Sequence, residues 1–262
     1  MSDTADHPAP HQTLARPDGE EIAYLRNRAK KPAGKAGLVW MGGFKSDMAG
    51  TKALALAEWA VRADRDLLRF DYFGHGQSSG TFTDGTIGRW REDALAAFDE
   101  LTAGPQVIVG SSMGGWMALL TALARPERVK ALVLIAPAPD FTQELMWKGF
   151  SDEVKATLKR DGIYREPSDF DEPYEITLKL IEESAAHLLL GGPIAIDVPV
   201  RVMQGMRDES VPWAHAMRLV EALTSEDVEV HLSKAGDHRL STPDDIARLM
   251  EVLGDVLRQV EG

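Results

Sequence analysis

The chain has 262 residues, with 44% hydrophobic and 27% charged positions. That suits a globular enzyme of one α/β domain, or one domain with an inserted lid, and a sizeable core. Asp and Glu number 41 against 29 Lys and Arg, a formal charge of −12, and there is no cysteine. The acidic balance without a basic run argues against nucleic-acid and anionic-membrane partners; the lack of thiols excludes disulfides, zinc–thiolate sites and a cysteine nucleophile.

The chain opens on MSDTADHPAPHQTLARPDGEE, polar, Pro-bearing and acidic. It has neither the apolar core of a secretory signal nor the Arg-rich character of a transit peptide, so a cytoplasmic location is expected. Roughly the first ten residues are expected to fray. The longest apolar run, ALVLIAPA, is too short to span a bilayer.

EIAYLRNR is a weak strand, and GLVWM a short buried one. TKALALAEWAVRAD reads as a helix and DLLRFDYFG returns to strand. Ile87, Trp90, Ala94, Phe98 and Leu101 recur at helical spacing. QVIVGS is a strand, GGWMALLTALA a helix and VKALVLIAPA a strand. VPVRVMQG and VEVHLSK are strands flanking a helix at PWAHAMRLVEAL. The last helix has Thr242 as N-cap, Pro243 at its first position and two aspartates in its first turn.

Alternating strand and helix with continuously apolar strands predicts a mostly parallel central sheet with helices on both faces. The stretch of about 139–197 breaks that rhythm. It holds no convincing strand, so short helices and turns are expected there. It is too long for an ordinary connection. It therefore reads as a helical cap inserted over the carboxyl edge of the sheet, where open α/β sheets place ligands. The whole chain, 1–262, is expected to be one domain carrying that insertion.

Gly110-Ser111-Ser112-Met113-Gly114 fits G-x-S-x-G in one register only, which puts Ser112 at the nucleophile position. The apolar strand before it and apolar helix after it are the context this elbow requires. The alternative is a Gly/Ser turn with a serine N-cap opening the helix. A serine nucleophile needs a base, and the base an orienting acid. Only His75, in DYFGHGQSSG, and His238, in KAGDHRLSTPDD, lie in loops expected at the active edge. The order serine, acid, histidine along this architecture favours His238, leaving His75 to shape a loop beside the elbow. Asp208, in VRVMQGMRDESVP, follows a strand and is the preferred acid; Glu209 and Asp140 are the other possibilities. An oxyanion hole needs two backbone N–H donors. Met113, after the nucleophile, supplies one, and Phe44, after Gly42-Gly43, the other.

In that order, the Gly-Gly-Phe loop, DYFGHGQSSG, GSSMGGW, GMRDESVP and GDHRLS resemble the α/β-hydrolase superfamily, over nearly the whole chain after about residue 20. GGFKSDMAGTKALALAEW and RFDYFGHGQSSG are more specific. They are similar to the branch of mitochondrial palmitoyl-protein thioesterases that also cleave acyl glucuronides, and to its bacterial relatives. The resemblance implies a serine hydrolase of ester or thioester bonds, with the same three residues as triad. The lack of a mitochondrial presequence points to a bacterial member.

The expected mechanism is two-step acyl transfer on a small-molecule or acylated substrate, needing no metal or organic cofactor. Phe141, Leu145, Met146, Trp147 and Phe150 either line an acyl pocket or pack the cap onto the sheet. Two other functions stay open: a carbon–carbon bond hydrolase of ring-fission products, and a non-catalytic ligand-binding member of the fold.

Overall fold

The computed structural model describes residues 11–32, 34–166 and 174–262. The frayed amino terminus expected over the first ten residues lies outside them. An eight-stranded sheet organises the chain. It contains β1 (Gln12–Ala15), β2 (Glu21–Asn27), β3 (Gly37–Met41), β4 (Leu67–Phe70), β5 (Gln106–Ser111), β6 (Val129–Ile135), and two strands near the carboxyl terminus, in the order 1-2-4-3-5-6 followed by that pair. The first two pairings, β1 with β2 and β2 with β4, are antiparallel; all later ones are parallel. β1 has no counterpart in the sequence reading, because a four-residue, largely exposed edge strand shows no periodicity above its polar surroundings.

β3 and β5 are buried along their whole length, as strands covered on both sides must be. Their alternate residues feed two cores. Val39, Ile108 and Leu132 meet α2 (Ile87–Leu101) and α3 (Met113–Ala124). Leu38, Trp40, Val107 and Val133 meet α1 (Thr51–Arg62) and the carboxyl-terminal helix. Each large apolar side chain so buried contributes roughly 1.5–3 kcal/mol. α3 is buried nearly all round, which is why its sequence is apolar on every face.

Between β6 and the next sheet strand the chain leaves the sheet. It forms a π-helical stretch (Thr142–Trp147), α4 (Asp152–Asp161), β7 (Ile163–Glu166), β8 (Tyr174–Thr177) and α5 (Leu178–Ser184). β7 and β8 pair antiparallel. The expectation of helices and turns alone is corrected here. Each strand is four residues long, and β7 reads IYRE, too short and charged for the alternation to stand out. Part of the expected insertion, 167–173, lies outside the described residues.

The sheet then closes with β9 (Val200–Gly205), α6 (Trp213–Ala222), β10 (Val228–Ser233) and α7 (Pro243–Glu261). α7 begins with the expected cap: Thr242 Oγ1 accepts from the Asp245 N–H at 3.2 Å, and the Asp245 carboxylate accepts from the Thr242 N–H at 3.1 Å. From β3 the chain crosses to β4 on one side, and from β5 to β6 on the other. The switch point lies between β3 and β5, so the loops after both strands diverge and leave a crevice.

Candidate active site

Ser112 is the single residue between the end of β5 and the start of α3. Its backbone is at φ 55°, ψ −119°, outside the regions a side-chain-bearing residue ordinarily occupies. Glycine neighbours make the turn possible. A β-carbon on Gly114 would lie 2.0 Å from the Met41 carbonyl oxygen, and one on Gly110 would lie 2.4 Å from the Gly114 carbonyl oxygen. Both positions are closed to any side chain. The Ser112 side chain makes no capping bond to α3, so the reading of a serine N-cap does not describe it. Its Oγ lies 3.1 Å from His238 Nε2 instead. Ser111 is buried as the last residue of β5.

His238 Nδ1 lies 2.8 Å from Asp208 Oδ2. With its proton on Nδ1, the ring donates to the carboxylate and leaves Nε2 free to accept from the serine hydroxyl. The Asp208 side chain has no exposed surface. Its Oδ1 accepts from the N–H groups of Ser210 and Val211, at 3.0 and 2.7 Å, and its Oδ2 also accepts from Gln204 Nε2, at 3.1 Å. Those donors fix the plane of the carboxyl group and hold it against the histidine. The histidine loop is tied to the acid loop, since Arg207 N–H donates to the Gly236 carbonyl at 2.9 Å. It is tied to α1 as well, since the Lys52 ammonium donates to the Arg239 carbonyl and to Ser241 Oγ. Burial pushes Lys52 down to about 8.

The two other acids have different surroundings. Glu209 is exposed. Asp140, at φ 58°, accepts from the N–H groups of Leu189 and Leu190, at 2.8 and 2.7 Å, and thereby closes the segment between β6 and β9. Burial raises its carboxyl above the ordinary range.

Phe44 sits in the loop after β3, beside the elbow: a β-carbon on Gly43 would lie 3.3 Å from Ser112 Cβ. Its N–H and that of Met113 have no acceptor among the described residues. The next residue, Lys45, has φ 55°. Its N–H donates to His75 Nε2 at 3.2 Å, while His75 Nδ1 lies 3.1 Å from the Phe73 carbonyl. That pair of bonds requires neutral imidazole with the proton on Nδ1. Burial supplies the neutrality, holding His75 down to about 4. Asp71 bridges the same two loops, accepting from the N–H groups of Met48 at 2.6 Å and Gln77 at 2.8 Å. The roles of Lys52 and Asp71 had no signal in the sequence, because each depends on contacts between loops far apart in the chain; that of Gln204 depends on its side chain folding back onto the turn that follows its own strand.

A cavity of about 450 Å³ opens over Ser112 and His238. Phe44, Phe141, Leu145, Met146, Phe150, Val211 and Tyr174 supply its apolar walls, and Ser210 and Glu166 add polar groups. The Phe44 ring packs edge-on against Phe141 at 5.6 Å and Phe82 at 4.9 Å. Phe141 and Met146 line this cavity. Trp147 does not: it is absent from the cavity wall, and its ring lies beneath the ammonium groups of Lys155 and Lys159 on α4, at 5.6 and 5.9 Å. Phe141, Leu145, Met146 and Phe150 share the face turned to the cavity, and the step from Met146 to Trp147 carries the next side chain round the helical stretch and off that face. Residues 187–192, HLLLGG, do not line this cavity either. Among the described residues, no group of three or more His, Asp or Glu side chains could hold a metal ion, and no helix is long and apolar enough to cross a membrane.

The family model described as the alpha/beta hydrolase fold matches residues 50–182. The chain belongs to the α/β-hydrolase family. It is 39% identical over 246 residues to the mitochondrial palmitoyl-protein thioesterase ABHD10 of Pongo abelii, covering 93% of this chain and 79% of that protein. Among solved structures it is similar to an Agrobacterium vitis S4 putative hydrolase (TM-score 0.90, 40% identity, 95% of this chain and 99% of that one). It is also similar to mouse ABHD10 (TM-score 0.87, 35% identity, 96% and 99%). An α/β hydrolase with thioesterase relatives is the class of enzyme this is. One expectation is overturned. The palmitoyl-protein thioesterase relatives are named as mitochondrial proteins, which contradicts a cytoplasmic location. The composition of the first residues carries no compartment signal strong enough to stand against that.

Proposed function

We propose that this α/β hydrolase cleaves carboxylic esters and thioesters through a covalent acyl-enzyme formed on Ser112. The observation that carries the reading is the continuous relay from Ser112 Oγ to His238 Nε2 at 3.1 Å and from His238 Nδ1 to Asp208 Oδ2 at 2.8 Å. His238 accepts the serine proton as Oγ attacks the acyl carbon. The oxyanion that forms is held by the N–H groups of Phe44 and Met113. His238 then protonates the leaving alcohol or thiol. Water, activated by the same ring, releases the acid and restores Ser112. Asp208 keeps the ring in the working tautomer and stabilises its cationic form.

The segment of about 139–197 serves as a cap on a single domain, and its aromatic and aliphatic side chains hold the acyl group. The similarity to palmitoyl-protein thioesterases supports an acylated substrate. Each methylene buried against these walls contributes ~0.8 kcal/mol. A hydrolase of ring-fission dienoates would need a cation or donors for the substrate carboxylate. Among the described residues the cap offers that cavity Glu166, whose charge has the wrong sign.

The test is intact-mass measurement after treatment with a fluorophosphonate, with Ser111→Ala and Ser112→Ala alongside. One adduct on the wild type and on Ser111→Ala, and none on Ser112→Ala, is expected. An adduct retained by Ser112→Ala, or absent from the wild type, sinks the assignment. The latter result would favour the non-catalytic, ligand-binding reading.

A further inference from the structure

One side chain in the cavity is explained neither by acyl transfer nor by an apolar lining. Glu166 ends β7 and lines the wall together with Met146, Phe150 and Tyr174. Tyr174 is its register partner across the hairpin. The hairpin treats its two faces differently. One residue back, Arg165 stands opposite Glu175, and the two form an ion pair at 3.1 Å on the exposed face. Strand alternation turns Glu166 to the other face. There the carboxylate makes no side-chain hydrogen bond or ion pair with any described residue, and among the described residues no Lys or Arg lines the cavity. Burial raises its carboxyl above the ordinary range, with no opposing cation.

A half-buried acceptor without a partner is a cost to the empty enzyme that a ligand can remove. A hydroxyl on the acyl chain removes it by donating. A second carboxylate worsens it, because two like charges share a poorly solvated space with no cation between them. We propose that Glu166 is a specificity-determining residue that selects acyl groups by charge: the cavity admits chains carrying a hydroxyl within its reach and rejects chains carrying a carboxylate. This rests on the acyl-transfer reading of Ser112.

The experiment compares p-nitrophenyl esters in pairs of equal length, one ending in a hydroxyl and one in a carboxylate, over several lengths. The quantity read is the ratio of kcat/KM within a pair, from which any general loss of activity divides out. Glu166→Gln is expected to lower the hydroxyl-to-carboxylate ratio by about tenfold at the length that reaches the residue, and Glu166→Lys to lower it further. Ratios equal to wild type in both variants, at every length, overturn the role of Glu166. Ser112→Ala is run with the same esters. If it is inactive while the ratios stay fixed, only the charge selection fails. If it is fully active, the nucleophile assignment fails first and the inference falls with it.

Discussion

The candidate site has two walls, built on different terms. The sheet-side wall is held by backbone. Ser112 occupies a left-handed φ, Gly110 and Gly114 meet main-chain oxygens, and Asp208 accepts from two successive N–H groups. The wall contributed by 139–197 is held mainly by side chains. Trp116 Nε1 donates to the His187 carbonyl at 3.1 Å, and Glu183 accepts from the Gly88 N–H at 3.1 Å. Leu145, Met146 and Phe150 are only partly buried. Backbone constraints admit very few residue types, whereas an apolar surface admits many. On the acyl-transfer proposal, the first wall fixes where atoms react, and the second fixes how much space and which polarity the substrate meets.

The largest effects belong to the first wall. Ser112→Ala should lower kcat by at least about 10⁴-fold, and Asp208→Asn by about 10³–10⁴-fold, since asparagine favours the wrong tautomer of His238. Ser111→Ala should stay within about threefold of wild type, because Ser111 ends a strand and touches none of the reacting groups. Steady-state hydrolysis of a short p-nitrophenyl ester measures all three. Equal losses for the two serines would erase the distinction between them.

Gly114→Ala tests whether the elbow is a matter of backbone space. The added carbon would lie 2.0 Å from the Met41 carbonyl and 2.5 Å from that of Gly42, so β3 or α3 must move. A loss of about 3 kcal/mol in urea unfolding is expected, with activity lost as the oxyanion loop shifts. Unchanged stability would mean that the contact relaxes freely.

His75 acts one step behind the chemistry, holding the Lys45 N–H next to the candidate oxyanion donor. His75→Gln should lower kcat by about tenfold and leave KM nearly unchanged, less than direct loss of an oxyanion donor. The variant also changes the response to acid. The folded state holds His75 down to about 4, below its ordinary 6.5, so the unfolded chain binds the extra proton between those values. Its contribution is complete above pH 6.5 and lost as pH falls towards 4, by up to about 3 kcal/mol. Asp71 and Asp93, pushed up to about 6 by burial, act in the opposite sense, their contribution being lost as pH rises through that range. Removing His75 should therefore shrink the fall in Tm between pH 7 and pH 5. An undiminished fall would place the acid response elsewhere.

The same division explains what could be read from the sequence. The elbow was legible because the glycines that let the backbone cross there are a pattern in one short segment. Histidine and acid were legible because each follows a strand end, in an order the chain itself displays. The parallel core was legible from continuous apolar runs such as QVIVGS and VKALVLIAPA. β1 and the β7–β8 hairpin were not, being four-residue strands with charged or exposed faces. Glu166 was invisible for the same reason: nothing local distinguishes an inward glutamate from an outward one until the hairpin register is known.

The smallest effects should separate two neighbours in the helical stretch that contributes to the second wall. Met146 lines the cavity, so Met146→Ala should lower the ratio of kcat/KM for a long acyl ester to that for acetyl by about tenfold, within the range set by a few methylene contacts. Trp147 is the larger and more hydrophobic residue, and its sequence context is as apolar. Its ring, however, is engaged by Lys155 and Lys159 outside the cavity. Trp147→Ala should leave the same ratio within about twofold and cost at most about 1 kcal/mol of stability, the cation–π contacts being exposed. A chain-length ratio that falls equally in both variants would mean that the helical stretch turns to present Trp147 when substrate binds. The second wall would then be defined by its motion rather than by the surface it presents at rest.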